Sequence, residues 1–138
     1  MDLIRPVNDQ FAVAPQLLPA HMAALAAAGY RSVINNRPDG EEYGQPSNAE
    51  MRAAAEAAGL TYHEQPVISG GVTLNDAERF GTLLNELPSP LLAFCRSGTR
   101  CIQLWALSQA GKAPADTIIG CAARAGYDLS PMRPYLEG

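Results

Sequence analysis

The chain has no excess of positive charge: ten Lys and Arg stand against fourteen Asp and Glu, a net charge of −4. A surface of that sign repels nucleic acid and anionic membranes, so neither is expected as a general partner, and any anion site has to be local. Long apolar runs are missing as well, and no basic segment leads into an apolar stretch near residue 1. Neither a membrane helix nor a signal peptide is therefore expected. Cysteine is scarce, with three in 138 residues. An odd number without tight pairing, and without the spacing of zinc ligands, argues against a disulfide framework and against a metal site. Free thiols suit a reducing compartment, so a cytoplasmic location is expected, and no cofactor is called for. Internal repeats, low-complexity tails and interdomain linkers are absent too.

What is present is enough apolar material, 47% of residues, to bury the core of one domain spanning residues 1–138. Strand-like and helix-like segments alternate, the pattern of an α/β domain whose sheet is mostly parallel, with four or five strands flanked by helices. Two short strands are expected around a turn at Asn8-Asp9. An alanine-rich helix follows, from Pro19 to a stop at Gly29. After the strand 31–36, Pro38, Gly40 and Pro46 forbid regular structure in the next loop. Ser47 with Glu50 forms a capping box for a helix that stops at Gly59. Residues 60–67 read as a third, central strand, and Thr73 with Asp76 opens a helix. The apolar stretch before Cys95 reads as a buried strand, and a helix begins at Gly98. A further helix and a short terminal one complete the chain.

The chemistry concentrates in Cys95-Arg96-Ser97-Gly98-Thr99-Arg100. Cys95 falls where a buried strand ends and a helix begins, so the loop amides and the positive end of the helix dipole converge on its sulfur. A drop of the thiol pKa from about 8.5 to about 5.5 would raise the thiolate fraction at pH 7 from roughly 3% to roughly 97%. Such a cysteine is a nucleophile without a neighbouring base, and the planar fork of Arg100 can grip the oxygens of a bound anion. Arg96, Ser97, Gly98 and Thr99 complete the anion-binding loop. Cys101, in the first helical turn, either resolves an oxidised or persulfidated Cys95 as a disulfide or packs as a small residue. Trp105 and Cys121 read as core, and His63 as a strand residue without ligand partners. Asp39 and Asp76 are candidate acids, although a turn position after Pro38 and a first-turn helix position account for them more simply.

The arrangement of strand, cysteine, short loop, glycine, arginine and helix resembles the cysteine-dependent phosphatases of the dual-specificity type. The segments 11–17, 29–42, 57–67 and 125–134, above all "NNRPDGEE" and "CRSGTR", are similar to the phosphatase-like domain family of β-lactamase hydrolase-like proteins, a bacterial family also labelled sulfurtransferase. The resemblance implies a cysteine-phosphatase-like α/β fold and, by analogy with fused relatives, a metallo-hydrolase of the persulfide-oxidising kind as a partner. It also suggests that Arg37 and the loop after it form a wall over the site.

The loop departs from the phosphatase pattern. Four residues lie between Cys95 and Arg100, where cysteine phosphatases have five, and "CRSGTR" resembles the loop of rhodaneses, whose cysteine carries a sulfane sulfur. The segment 66–73, where a phosphatase-like acid is sought, has no carboxylate. The leading expectation is therefore a sulfurtransferase that takes sulfane sulfur from thiosulfate or a small persulfide onto Cys95 and passes it to a thiol acceptor. A cysteine-dependent phosphomonoesterase is the alternative. A weakly active anion-binding module partnered with the metallo-hydrolase is the third possibility.

Overall fold

The computed structural model describes residues 3–137. Five strands form one sheet: β1 (Arg5–Pro6), β2 (Phe11–Ala14), β3 (Ser32–Asn35), β4 (Thr61–Glu64) and β5 (Leu91–Phe94). Their spatial order is β1-β2-β5-β3-β4. Only β1 runs antiparallel, paired to β2, and the remaining neighbours are parallel. The helices are α1 (Met22–Ala27), α2 (Asn48–Ala57), α3 (Leu74–Glu86), α4 (Thr99–Gln109), α5 (Ala115–Arg124) and α6 (Arg133–Leu136). Short 3-10 turns at Pro19–His21 and Ser130–Met132 lead into α1 and α6.

The expected mostly parallel sheet with helices on both faces is what the chain forms. Every residue of β2, β3 and β5 is buried, as strands covered on both faces require. β4 differs from the expectation of a third central strand: it lies at the sheet edge, and of its four residues only Tyr62 is buried. The apolar run 60–67 reads as central because Leu60, Tyr62, Gln65 and Val67 are all buried. The residues between them, however, face solvent along the open side of the strand.

Two apolar layers clamp the sheet. One packs Leu92 and Phe94 of β5 with Met22, Leu25, Met51 and Ala55 of α1 and α2. The other packs Leu91, Ala93 and Cys95 with Phe80, Ile102, Trp105 and Ile118 of α3, α4 and α5. The strand period of two thus carries Cys95, one residue past β5, to the same face as Leu91 and Ala93. Phe11 joins this layer, edge-on to Phe80 and stacked on Trp105. Helix α2 starts at the expected capping box, Ser47 with Glu50, and α3 at the expected Thr73 cap, where Asp76 completes a second box. None of the described helices is long and apolar enough to cross a membrane.

Candidate active site

β5 lies at the centre of the sheet, between β2 and β3, and its C-terminal end delivers Cys95 into the turn that starts α4. Gly98 is the N-cap of α4, with φ of +90°. That left-handed conformation suits glycine, because a side chain there meets steric resistance. It lets the chain fold back so that the Gly98 N–H donates to Cys95 Sγ at 3.1 Å. The loop carbonyls face the other way and are held there: Arg96 O accepts from Gln16 N at 3.2 Å, and Ser97 O accepts from the Tyr127 hydroxyl at 2.8 Å. Ser97 and Thr99 hydrogen-bond to each other through their hydroxyls at 2.9 Å and brace the turn.

The Cys95 thiol is lowered to about 5. The largest cause is a hydrogen bond from the Cys101 thiol. Burial opposes it, and the amides of Cys101, Gly98 and Arg100 add to the lowering. The leading physical cause is one the sequence does not rank first. A thiol in the first turn of α4 contributes more than any single loop amide. Burial and the adjacent Cys95 charge push Cys101 well above the ordinary thiol range. Cys95 is the thiolate of the pair and Cys101 its donor.

Arg100 is 5% exposed. Its Nη1 donates to Glu41 Oε2 at 2.8 Å and to the Val67 carbonyl at 2.9 Å, and its Nη2 donates to Glu41 Oε1 at 3.0 Å. A guanidinium carries five N–H groups. The Nε–H and the second Nη2–H are not used by these bonds, and they lie along one edge in the fork geometry that matches two oxygens of an oxyanion. Glu41 fixes that edge. Its own carboxyl is held below the usual range, first by the hydrogen bond from Arg100 and then, against its partial burial, by that from Arg37.

Arg37 is 2% exposed and lies inside the structure rather than forming a surface wall. Its Nε donates to Glu41 Oε1 at 2.7 Å, its Nη1 to Gln16 Oε1 at 3.0 Å and its Nη2 to Glu42 Oε1 at 2.5 Å. Glu41 thus bridges two buried arginines. Arg96 is exposed, and its Nε lies 3.5 Å from Glu42. Asp39 Oδ1 accepts from Asn48 N at 2.8 Å and from Asn48 Nδ2 at 3.1 Å, as a cap for α2. Asp76 caps α3 through Thr73 N at 3.1 Å. Both carboxylates accept hydrogen bonds from backbone amides at helix starts. His63 is an exposed residue of β4. Trp105 and Cys121 are core residues, as expected.

Three participants escape a reading of the sequence alone: Glu41, Tyr127 and the Val67 carbonyl. "NNRPDGEE" and "AGYDLSPMRP" stand out as segments, and no spacing rule links Glu41 to Arg100, 59 positions away. The groove beside the loop is lined by Ser69, Gly70, Arg96, Ser97, Thr99, Arg100 and Gln103. Among the described residues, no cluster of three or more His, Cys, Asp or Glu could hold a metal ion.

Comparison with known proteins agrees with this fold. The model of the family described as "Beta-lactamase hydrolase-like protein, phosphatase-like domain" matches residues 2–112. A beta-lactamase hydrolase-like protein of Agrobacterium fabrum is 36% identical over 133 residues, covering 95% of this chain and 31% of the relative. The chain therefore spans about a third of the length of that relative. A crystal structure from Neisseria meningitidis, described as a candidate phosphatase, is 37% identical with a TM-score of 0.87 and covers 99% of this chain and 97% of its own. The kinase associated phosphatase, 15% identical, superposes with a TM-score of 0.66 over 92% of this chain and 83% of its own, a likeness of fold alone.

Proposed function

The chain belongs to the family of the phosphatase-like domain of beta-lactamase hydrolase-like proteins, and from that premise we propose that it is a cysteine-dependent phosphomonoesterase acting on aryl phosphates. One observation carries the reading: a thiolate at the end of β5 sits in the same short loop as a buried guanidinium whose Nε and Nη2 edge is uncommitted. A tetrahedral oxyanion fits that pairing. Two of its oxygens take the Arg100 edge, and the third meets the loop amides.

Cys95 Sγ attacks phosphorus with its electron pair, and the bond from phosphorus to the ester oxygen breaks, leaving a cysteinyl-phosphate. Charge that develops on the equatorial oxygens is stabilised by Arg100 and the amides, which are held in place before reaction. Asp39 and Asp76 cap helices, and Glu41 and Glu42 are held by arginines. None of these four carboxylates is thereby poised to give the leaving oxygen a proton. The leaving group has to depart as an anion or take its proton from water, which favours a phenol over an alkyl alcohol. Water then attacks the cysteinyl-phosphate and releases inorganic phosphate and the thiolate.

A second reading, sulfur transfer through a Cys95 persulfide, is supported by the four-residue spacing of the loop and by the same lack of an acid. Here a small anionic sulfur donor would occupy the Arg100 edge, a thiol would accept the sulfur, and a persulfide-oxidising metallo-hydrolase would be a natural partner. Rapid quench with p-nitrophenyl phosphate followed by mass spectrometry separates the two. The phosphatase reading expects a phosphoryl group on Cys95, turnover of the ester, and loss of both in Cys95→Ser. Transfer from thiosulfate to cyanide, with one extra sulfur retained on Cys95 and no phosphoenzyme, would overturn it in favour of sulfur transfer.

A further inference from the structure

Tyr127 lies in the segment after α5, far in sequence from the loop, yet its hydroxyl occupies the space where any larger residue at position 98 would place its Cβ, 2.0 Å from that point. It donates to Ser97 O at 2.8 Å. Ser97 C=O and Gly98 N–H belong to one planar peptide unit, in which oxygen and hydrogen point in opposite directions. The other end of that unit is the N–H that donates to Cys95 Sγ at 3.1 Å. Behind Tyr127 stands Arg5 of β1: its Nη1 donates to the phenol oxygen at 2.7 Å, and its guanidinium lies 5.4 Å from the ring centroid. The four groups make one directional chain, from the Arg5 cation through the Tyr127 hydroxyl and the Ser97–Gly98 peptide to the Cys95 sulfur.

We infer that Tyr127 and Arg5 are positioning residues for the nucleophile, holding and polarising the peptide whose N–H donates to the Cys95 sulfur at 3.1 Å. Each donor in the chain strengthens the next. A cation on the phenol oxygen makes its O–H a better donor, and an O–H on the amide oxygen makes the opposite N–H a better donor to an anion. The same contact fixes the peptide plane, so the N–H cannot swing off the sulfur. Glycine at 98 is required twice, for its φ and for the room taken by Tyr127.

The inference rests on Cys95 as nucleophile and not on which group it attacks. It is therefore tested by alkylation with iodoacetamide, in which neither phosphate nor a sulfur donor takes part. The charged and titratable groups acting on Cys95 are Cys101 and Arg100 from α4, with Tyr127 from the segment after α5. Tyr127→Phe keeps the ring and its packing while removing the hydroxyl. The pH midpoint of Cys95 alkylation is expected to rise by roughly 0.5 to 1 pH unit, with a folded thermal transition retained. Arg5→Met should move the midpoint in the same direction, Arg5→Lys should largely restore it, and the Arg5→Met, Tyr127→Phe pair should shift it no further than Tyr127→Phe alone. A folded Tyr127→Phe protein with an unmoved midpoint overturns the inference. If that variant fails to fold, an unmoved midpoint in Arg5→Met does the same.

Discussion

The fully buried Cys101 thiol, six positions beyond Cys95 in the sequence, is the strongest single influence that lowers the Cys95 thiol to about 5. The two thiols form one acid–base unit, in which the first proton lost is that of Cys95 and the second is held far more tightly. Nucleophile and donor sit on either side of Arg100 in the sequence, one residue past the end of β5 and in the first turn of α4.

Removing that donor should cost thiolate. In Cys101→Ala the alkylation midpoint of Cys95 is expected to rise from about 5 by roughly 1 to 2 pH units. The small volume change should lower the melting temperature only modestly. A midpoint that stays near 5 would assign the activation to the amides and Arg100 instead.

Stability should follow the same titration. The folded thiol ionises at about 5 and the unfolded one near 8.5. Between those values the unfolded chain therefore binds more protons, and stability rises with pH. The contribution is complete above about 8.5 and is lost as pH falls through about 5. Urea midpoints are expected to climb between about pH 5.5 and 8 and to climb less in Cys95→Ser. Parallel slopes for the two proteins would show that Cys95 is not depressed in the folded state.

Arg100→Lys keeps the charge and loses the fork. Turnover of the anionic substrate should fall by roughly ten- to a hundredfold. Arg96→Ala should cost much less, because Arg96 is exposed and pairs with the exposed Glu42 at 3.5 Å. Equal losses in steady-state kinetics would mean that Arg96 holds substrate.

Glu41→Gln removes the anion shared by two buried arginines. Arg100 then loses the partner that fixes its free edge, and the affinity for vanadate or phosphate is expected to drop about tenfold or more, with a loss of stability on the order of 1 to 3 kcal/mol. Tighter phosphate binding in a calorimetric titration would reveal Glu41 as a competitor for the Arg100 fork instead of its support.

The lack of a poised acid has a kinetic signature. Across a series of aryl phosphates, kcat/KM should fall steeply as the pKa of the phenol rises, and alkyl phosphates should be poor substrates. A flat dependence would mean that some group protonates the leaving oxygen after all.

Local chemistry made much of this protein readable from its residues. The capping boxes at Ser47 and Thr73, the glycine stop at Gly59 and the passage from β5 through Cys95 to α4 are short-range effects. Capping, left-handed turns and apolar periodicity act over a few residues, so the sequence alone sufficed for the α/β alternation and for a nucleophile at a helix start. β4 misleads for the same reason. The buried positions of the segment 60–67 look like those of a central strand, and whether another strand covers the far edge of β4 depends on the order of the sheet.

The site was completed only by the tertiary structure. Glu41 reaches Arg100 across 59 positions and Tyr127 reaches Ser97 across 30, because parallel strands return the chain to one end of the sheet and bring distant loops together there. The rank of Cys101 as the strongest influence on Cys95 depends on burial and on side-chain direction, neither of which spacing encodes. The sequence determined that a thiolate and an arginine would share a loop. Which edge of that arginine stays free, and what holds the loop amide on the sulfur, was decided by packing, because hydrogen bonds depend on angstrom-scale geometry that only the folded chain supplies.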